Sequence, residues 1–229
     1  METDRYKIWA KGNKRNFVNK FLERYKDNKS ESPVAIFMAG LPGAGKTEIS
    51  RYLAKELGNF VRIDMDEIAE QIPGYKPENA NDFREAATLL VNTTLKEVYR
   101  NNISFILDGT FGSSYALRNI ERALKHGYYP IISYIHQDPK CAFDFTVARE
   151  KVERRGIEKS GFIKTYFNIK QNLDEAFRKY SKEIAVEIIL KNTDNNIKKA
   201  ISNASHSEFD EVAKNSYTID SLDKYISGK

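Results

Sequence analysis

Residues 40–47, GLPGAGKT, satisfy the spacing G-x-x-x-x-G-K-[ST] in full, between an apolar run, VAIFMA at 34–39, and a helix-patterned run, TEISRYLAKEL at 47–57. A buried strand that turns through three glycines into a helix fixes much of what the chain can become. Gly40, Gly43 and Gly45 let the backbone curl with its N–H groups inward, where a Cβ would often obstruct a phosphate. Lys46 then supplies a point charge for β- and γ-phosphates, the Thr47 hydroxyl suits a Mg²⁺ ion, and the following helix adds the positive end of its dipole. The segment Gly40, Leu41, Pro42, Gly43, Ala44, Gly45, Lys46 and Thr47 is therefore the predicted ATP-binding loop, with Mg²⁺ as the expected metal. A glycine-rich turn that binds nothing is the alternative, and the flanking strand and helix weigh against it.

Further apolar runs at 60–63, 103–107, 130–135 and 184–190 read as buried strands, and helical spacing recurs at 46–57, 82–100, 115–126, 139–153 and 162–180. Strands alternating with helices need crossover connections. That predicts a three-layer α/β fold of the P-loop NTPase and kinase type, on a mostly parallel, roughly five-stranded sheet with its ligand at the carboxyl ends of the strands. A length of 229 residues with 41% hydrophobic residues predicts one domain. Within it we expect a helical segment over about 1–30, a core over about 31–195 and a C-terminal helical segment over about 196–229, with amphipathic stretches at 16–27 and 218–227.

The charge balance, 37 Lys and Arg against 32 Asp and Glu, is mildly basic and spread along the chain, which reads first as a solvated surface and leaves nucleic acid open as a partner. Cys141 is the only cysteine, so an intramolecular disulfide and a cysteine-rich zinc site are excluded. The charged N-terminus lacks an apolar leader, and the apolar runs are too short to span a bilayer, so a cytoplasmic protein without a membrane segment is expected.

The second strand ends in RIDMDE, which puts Asp64 and Asp66 at the carboxyl edge of the sheet. One carboxylate there can orient or deprotonate an acceptor hydroxyl and the other can hold the water shell of Mg²⁺, while capping of the next helix is the plainer use of either. The third strand ends in Asp108, within ISFILDGT, an acidic position of Walker B type, with Thr110 beside it. After the fourth strand, Arg149, Arg154, Arg155 and Lys164 lie on helix-forming sequence that predicts a cationic lid over the transferred phosphate, the alternative being a mixed-charge helix face.

From about 31 to about 180 the sequence resembles the zeta toxin family of P-loop kinases. The likeness is carried by ESP at 31–33, GLPGAGKT, IDMDEIAEQIPGY at 63–75, ISFILDGT, HGYYPIISYI and the arginine-bearing lid. The resemblance implies phosphorylation of a small-molecule hydroxyl acceptor, of which UDP-N-acetylglucosamine is the family's best known, and an antitoxin protein as a partner. It places the acceptor-hydroxyl aspartate on Asp66, the Pro-x-aromatic turn on Pro73 and Tyr75, and lid arginines on Arg149 and on Arg154 or Arg155, with Lys164 as a further phosphate contact. Asp64, Asp108 and Thr110 fall on the acceptor side. The family's sugar-contacting glutamate has no direct counterpart: its spacing lands on Asn92, and Glu85 is the candidate. Two other classes fit the same loop, a nucleotide or polynucleotide kinase with a basic channel and a regulatory ATPase that transfers phosphate only to water.

Overall fold

Strand β1, Val34–Ala39, has five of its six residues buried, the continuous apolar pattern of a strand covered on both faces. In the computed structural model, which describes residues 2–153, 157–214 and 217–228, β1 lies inside a six-stranded sheet. The other strands are β2 (Val61–Asp64), β3 (Phe105–Asp108), β4 (Tyr129–His136), β5 (Ala185–Lys191) and β6 (Ile197–Ile201), in the order β2-β3-β1-β4-β5-β6. All pairings are parallel except β5 with β6. The sheet therefore has one strand more than the roughly five expected, and the extra strand opens the tail that was expected to be helical. IKKAI has neither alternation nor a buried face, because β6 is a sheet edge whose lysines meet solvent, so only its pairing with β5 makes it a strand.

The helices are α1 (Glu2–Phe21), α2 (Lys46–Leu57), α3 (Met65–Glu70), α4 (Arg84–Arg100), α5 (Ala116–Lys125), α6 (Pro139–Glu153), α7 (Lys159–Tyr180), α8 (His206–Val212) and α9 (Ile219–Ile226). Helix α2 carries the chain from β1 towards β2, whereas α4, α5 and α7 carry it the opposite way across the sheet. Right-handed crossovers then put α2 on one face and the others on the opposite face, which gives three layers. The core is lined by residues such as Met38, Ile63, Leu90, Phe105, Ile132, Phe162 and Leu173, each at most 2% exposed. The consequence for function is positional. The ends of β1, β2, β3 and β4 open on one edge, and the loops at that edge carry nearly every polar residue singled out above.

Candidate active site

The loop after β1 depends on backbone that side chains rarely adopt. Gly40, Gly43 and Gly45 have φ of 142°, 79° and 83°. A Cβ on Gly43 would strike the backbone carbonyl of Ala142, so the loop and α6 meet backbone to backbone, while the Gly40 N–H donates to Thr110 O at 3.1 Å and ties the loop to the end of β3. Lys46 is only 9% exposed and donates to Leu41 O at 2.7 Å. Burial pushes its ammonium down to about 8, against the pull of the Asp108, Glu48 and Asp64 carboxylates, and the nearby charge of Arg149 adds to the fall.

Behind the loop lies a buried charge cluster centred on Arg62. Its guanidinium donates to Ser50 Oγ at 2.7 Å, and to Glu67 Oε2, Asp64 Oδ2 and Asp108 Oδ2 at 2.6 Å each. Ser50 Oγ in turn donates to Asp108 Oδ2 at 2.6 Å. Burial and the neighbouring Asp108 raise the Asp64 carboxyl, against the pull of Arg62. Arg62 and Ser50 were not foreseen from the sequence. An arginine in VRID reads as the solvent-facing member of a half-buried strand, and its full set of partners comes together only when β2, α3, β3 and α2 pack.

Asp64 also accepts the Asp66 N–H on Oδ1 at 2.8 Å and caps α3, so the capping use of one member of the pair falls to Asp64. Asp66 is in the first turn of α3. It shares with Lys46, Thr47, Asp108, Thr110 and Arg149 the wall of a cleft of about 920 Å³ at the carboxyl edge of the sheet. Tyr75 and two carboxylates that the sequence did not single out, Glu70 and Glu78, line the same cleft. The loop after β3 is clamped by α7: Asn172 Nδ2 donates to Phe111 O at 2.7 Å and Asn168 Nδ2 to Gly112 O at 3.0 Å. Phe111 sits there at φ 61°, a strained backbone for a bulky residue.

Three expectations are not brought to the cleft. Glu85 stands on the exposed surface of α4, paired with Lys7 of α1 at 2.6 Å, and Asn92 is exposed on the same helix, so α4 supplies neither as a cleft wall. Lys164 faces a groove between α7 and α9 with Thr218 and Asp223, because the α7 register turns it away from the loop. Arg154 and Arg155 lie outside the described residues.

The oxygen donors at the loop fit a hard cation: the Thr47 hydroxyl stands at the start of α2, with the carboxylates of Asp64 and Asp108 on the same cleft wall. A glycine loop feeding a helix at the centre of a 2-3-1-4-5 parallel sheet, with an aspartate pair one crossover away, defines the P-loop kinase class of fold. Within that class the chain belongs to the zeta toxin family, whose model, described as Zeta toxin, matches residues 19–205. The toxin PezT of Streptococcus pneumoniae serotype 4 (strain ATCC BAA-334 / TIGR4) is 29% identical over 129 residues, 52% of this chain and 51% of PezT, so the chain spans about half the length of that relative. A structure from the PezAT chromosomal toxin-antitoxin system of the human pathogen Streptococcus pneumoniae is similar with a TM-score of 0.66 at 19% identity, over 96% of this chain and 87% of its own. The AvrRxo1-ORF1:AvrRxo1-ORF2 complex crystallised with ATP is similar with a TM-score of 0.62 at 13% identity, over 93% of this chain and 72% of its own. Among the described residues no helix is long and apolar enough to cross a membrane.

Proposed function

We infer that the chain works as one P-loop kinase unit that transfers the γ-phosphate of ATP to a hydroxyl of a small molecule. The observation that carries this reading is the position of Asp66. It lines one cleft with Lys46 and Thr47, in the first turn of the helix that Asp64 caps. In this reading the acceptor oxygen bonds to the γ-phosphorus as the bond to the bridging oxygen of ADP breaks, and the hydroxyl proton passes to the Asp66 carboxylate. Lys46 and Arg149 neutralise charge on the transferred group, and Thr47 would hold Mg²⁺, which would supply further charge neutralisation when bound. Thr110 helps to orient the acceptor. Arg155 would add a second lid cation.

Charge favours a small acceptor over an oligonucleotide. Asp66, Glu70 and Glu78 line the cleft together with Lys46, Arg51 and Arg149, a mixed wall that suits a compact acceptor with a hydroxyl- or amide-bearing part on the acidic residues more than a long phosphate backbone. A UDP-linked amino sugar is the first acceptor to try, on the strength of the family. With Glu85 and Asn92 away from the cleft, Glu70 or Glu78 would take the place of the sugar-contacting glutamate. The toxin-antitoxin relatives make an antitoxin the expected protein partner.

The test is to incubate the purified chain with γ-labelled ATP and Mg²⁺ against UDP-sugars, nucleosides, NAD and short oligonucleotides, and to follow the label. We expect label on a small molecule, and an Asp66→Asn variant slower by roughly 10²–10⁴ in kcat with ATP binding kept. Label confined to oligonucleotide ends, or released only as inorganic phosphate, would overturn the acceptor assignment. A crippled Asp64→Asn beside a mild Asp66→Asn would overturn the role of Asp66.

A further inference from the structure

The turn between β5 and β6 places a second lysine against the phosphate loop. The β5–β6 register shifts where Leu190 pairs Lys199 and Lys191 pairs Ile197, which leaves Lys198 of β6 as the extra residue and Lys191 as the last paired residue of β5 before the turn. The Lys191 ammonium lies over Gly45: a Cβ built on Gly45 would collide with Nζ and come within 3.3 Å of Asn195 Oδ1. Nζ donates to Asn195 Oδ1 at 2.8 Å, and Asn195 itself lines the cleft. The turn is well fixed. Asn192 Oδ1 accepts from the N–H groups of Asp194 and Asn196 at 3.0 and 2.9 Å, and Asn192 O accepts from the buried Gln137 at the end of β4 at 2.9 Å.

The charge at this point runs against the local field. Gly45 is the N-cap of α2, where the helix presents the positive end of its dipole, and Lys46 is the next residue. Burial pulls the Lys191 ammonium below its usual range, with Glu48 opposing the fall. Two ammonium groups at one helix N-terminus raise the energy of the folded chain until an anion joins them. The hydrogen bond to Asn195 needs only a donor, which a glutamine would supply without the charge.

We propose that Lys191, held by Asn195, is a second phosphate-binding lysine, which grips the phosphate chain of the nucleotide from the β5–β6 hairpin on the Gly45 side of the loop. It rests on the reading of ATP as phosphate donor. In that arrangement Lys46 and Arg149 serve the transferred group, and Lys191 serves the part of the phosphate chain that stays with the nucleoside, so it contributes to ground-state binding more than to kcat.

The experiment is calorimetric titration of ATP and ADP into the wild-type chain, Lys191→Met, Lys191→Arg and Lys46→Ala, at several salt concentrations, with thermal unfolding of each variant in the absence of nucleotide. Lys191→Met is expected to weaken ATP and ADP by about tenfold, the scale of one charge-assisted hydrogen bond, and to flatten the salt dependence of binding. Lys191→Arg is expected to recover most of the loss. Unchanged ATP affinity in Lys191→Met overturns the proposal. So does a Lys191→Arg variant as weak as Lys191→Met, which would mark a role in holding the hairpin only. Failure of the wild-type chain to bind ATP, with Lys46→Ala indistinguishable from it, would instead bring down the donor assignment and this inference with it.

Discussion

Arg62 shows how much one side chain holds at this site. With 8% of its side chain exposed, it faces Asp64 and Asp108 at 12% and 5%, and removal of the guanidinium would leave two buried carboxylates without their cation. Breaking a buried ion pair from one side costs about 3–5 kcal/mol, so Arg62→Ala should lower unfolding stability by that order in urea denaturation; a loss under about 1 kcal/mol would mean that solvent reaches the cluster. Lys46 gives a second expectation, set by pH. Burial holds its ammonium down to about 8 against an ordinary 10.5, so between those values the unfolded chain binds more protons and this residue makes stability rise with pH. ATP binding has the opposite sign, because phosphate prefers the ammonium: affinity should fall as pH rises through about 8, measured by calorimetry, and a Lys46→Met variant should lose that slope. A flat profile for the wild-type chain would place Lys46 away from the phosphates. The placement of Lys46 and Asp66 on one cleft was legible because their signal is local, a loop spacing and a strand-end pair. Arg62 and Lys191 were not, since the tertiary fold brings Asp108 and Ser50 to the one and the Gly45 loop to the other.

At the scale of elements, the boundaries of β1, α2 and α6 agree with those expected from the sequence, because glycine turns or an Asp-Pro cap punctuate them. Helix α1 falls within the helical segment expected over about 1–30, but its amphipathic part was placed only at 16–27. Its charged first half hides an apolar stripe whose meaning lies in α4 and the turn that precedes it. Tyr6 of α1 stacks on Phe83 with ring centroids 3.8 Å apart, Phe83 meets Tyr75 edge-on at 5.3 Å, and Tyr75 lines the cleft. A Cβ on Gly74 would also touch the Tyr6 ring, so α1 backs the whole Pro73–Tyr75 turn. Tyr6→Ala should therefore raise KM for the acceptor identified by labelling by about 2–10-fold, the worth of one aromatic pair, with ATP affinity unchanged in steady-state and binding measurements. An equal loss of ATP affinity would show that α1 supports the fold as a whole and not the acceptor wall.

Across the whole molecule, binding and stability draw on the same residues with opposite sign. The cleft is built from the loop after β1, the ends of β2 and β3, the starts of α2 and α3 and part of α6, so a ligand there bridges elements that must separate when the chain unfolds. ATP at 100 times its Kd would add about 2.7 kcal/mol to the folded state by linkage alone. Against this, the buried Lys46 ammonium raises the energy of the ligand-free fold, since its pKa is pulled down to about 8 and its hydrogen bond to Leu41 O recovers only part of the lost hydration. Lys46→Met keeps the volume and removes the charge. The variant should therefore unfold at a higher temperature than the wild-type chain without nucleotide, by roughly 2–6 °C for a net gain on the order of 1–2 kcal/mol, and should show almost no further rise with ATP. Differential scanning calorimetry of both proteins with and without ATP and Mg²⁺ measures all four midpoints. A Lys46→Met chain that is less stable without nucleotide, yet shifts with ATP as the wild-type chain does, would mean that Lys46 is a packing residue and that the phosphate site lies elsewhere.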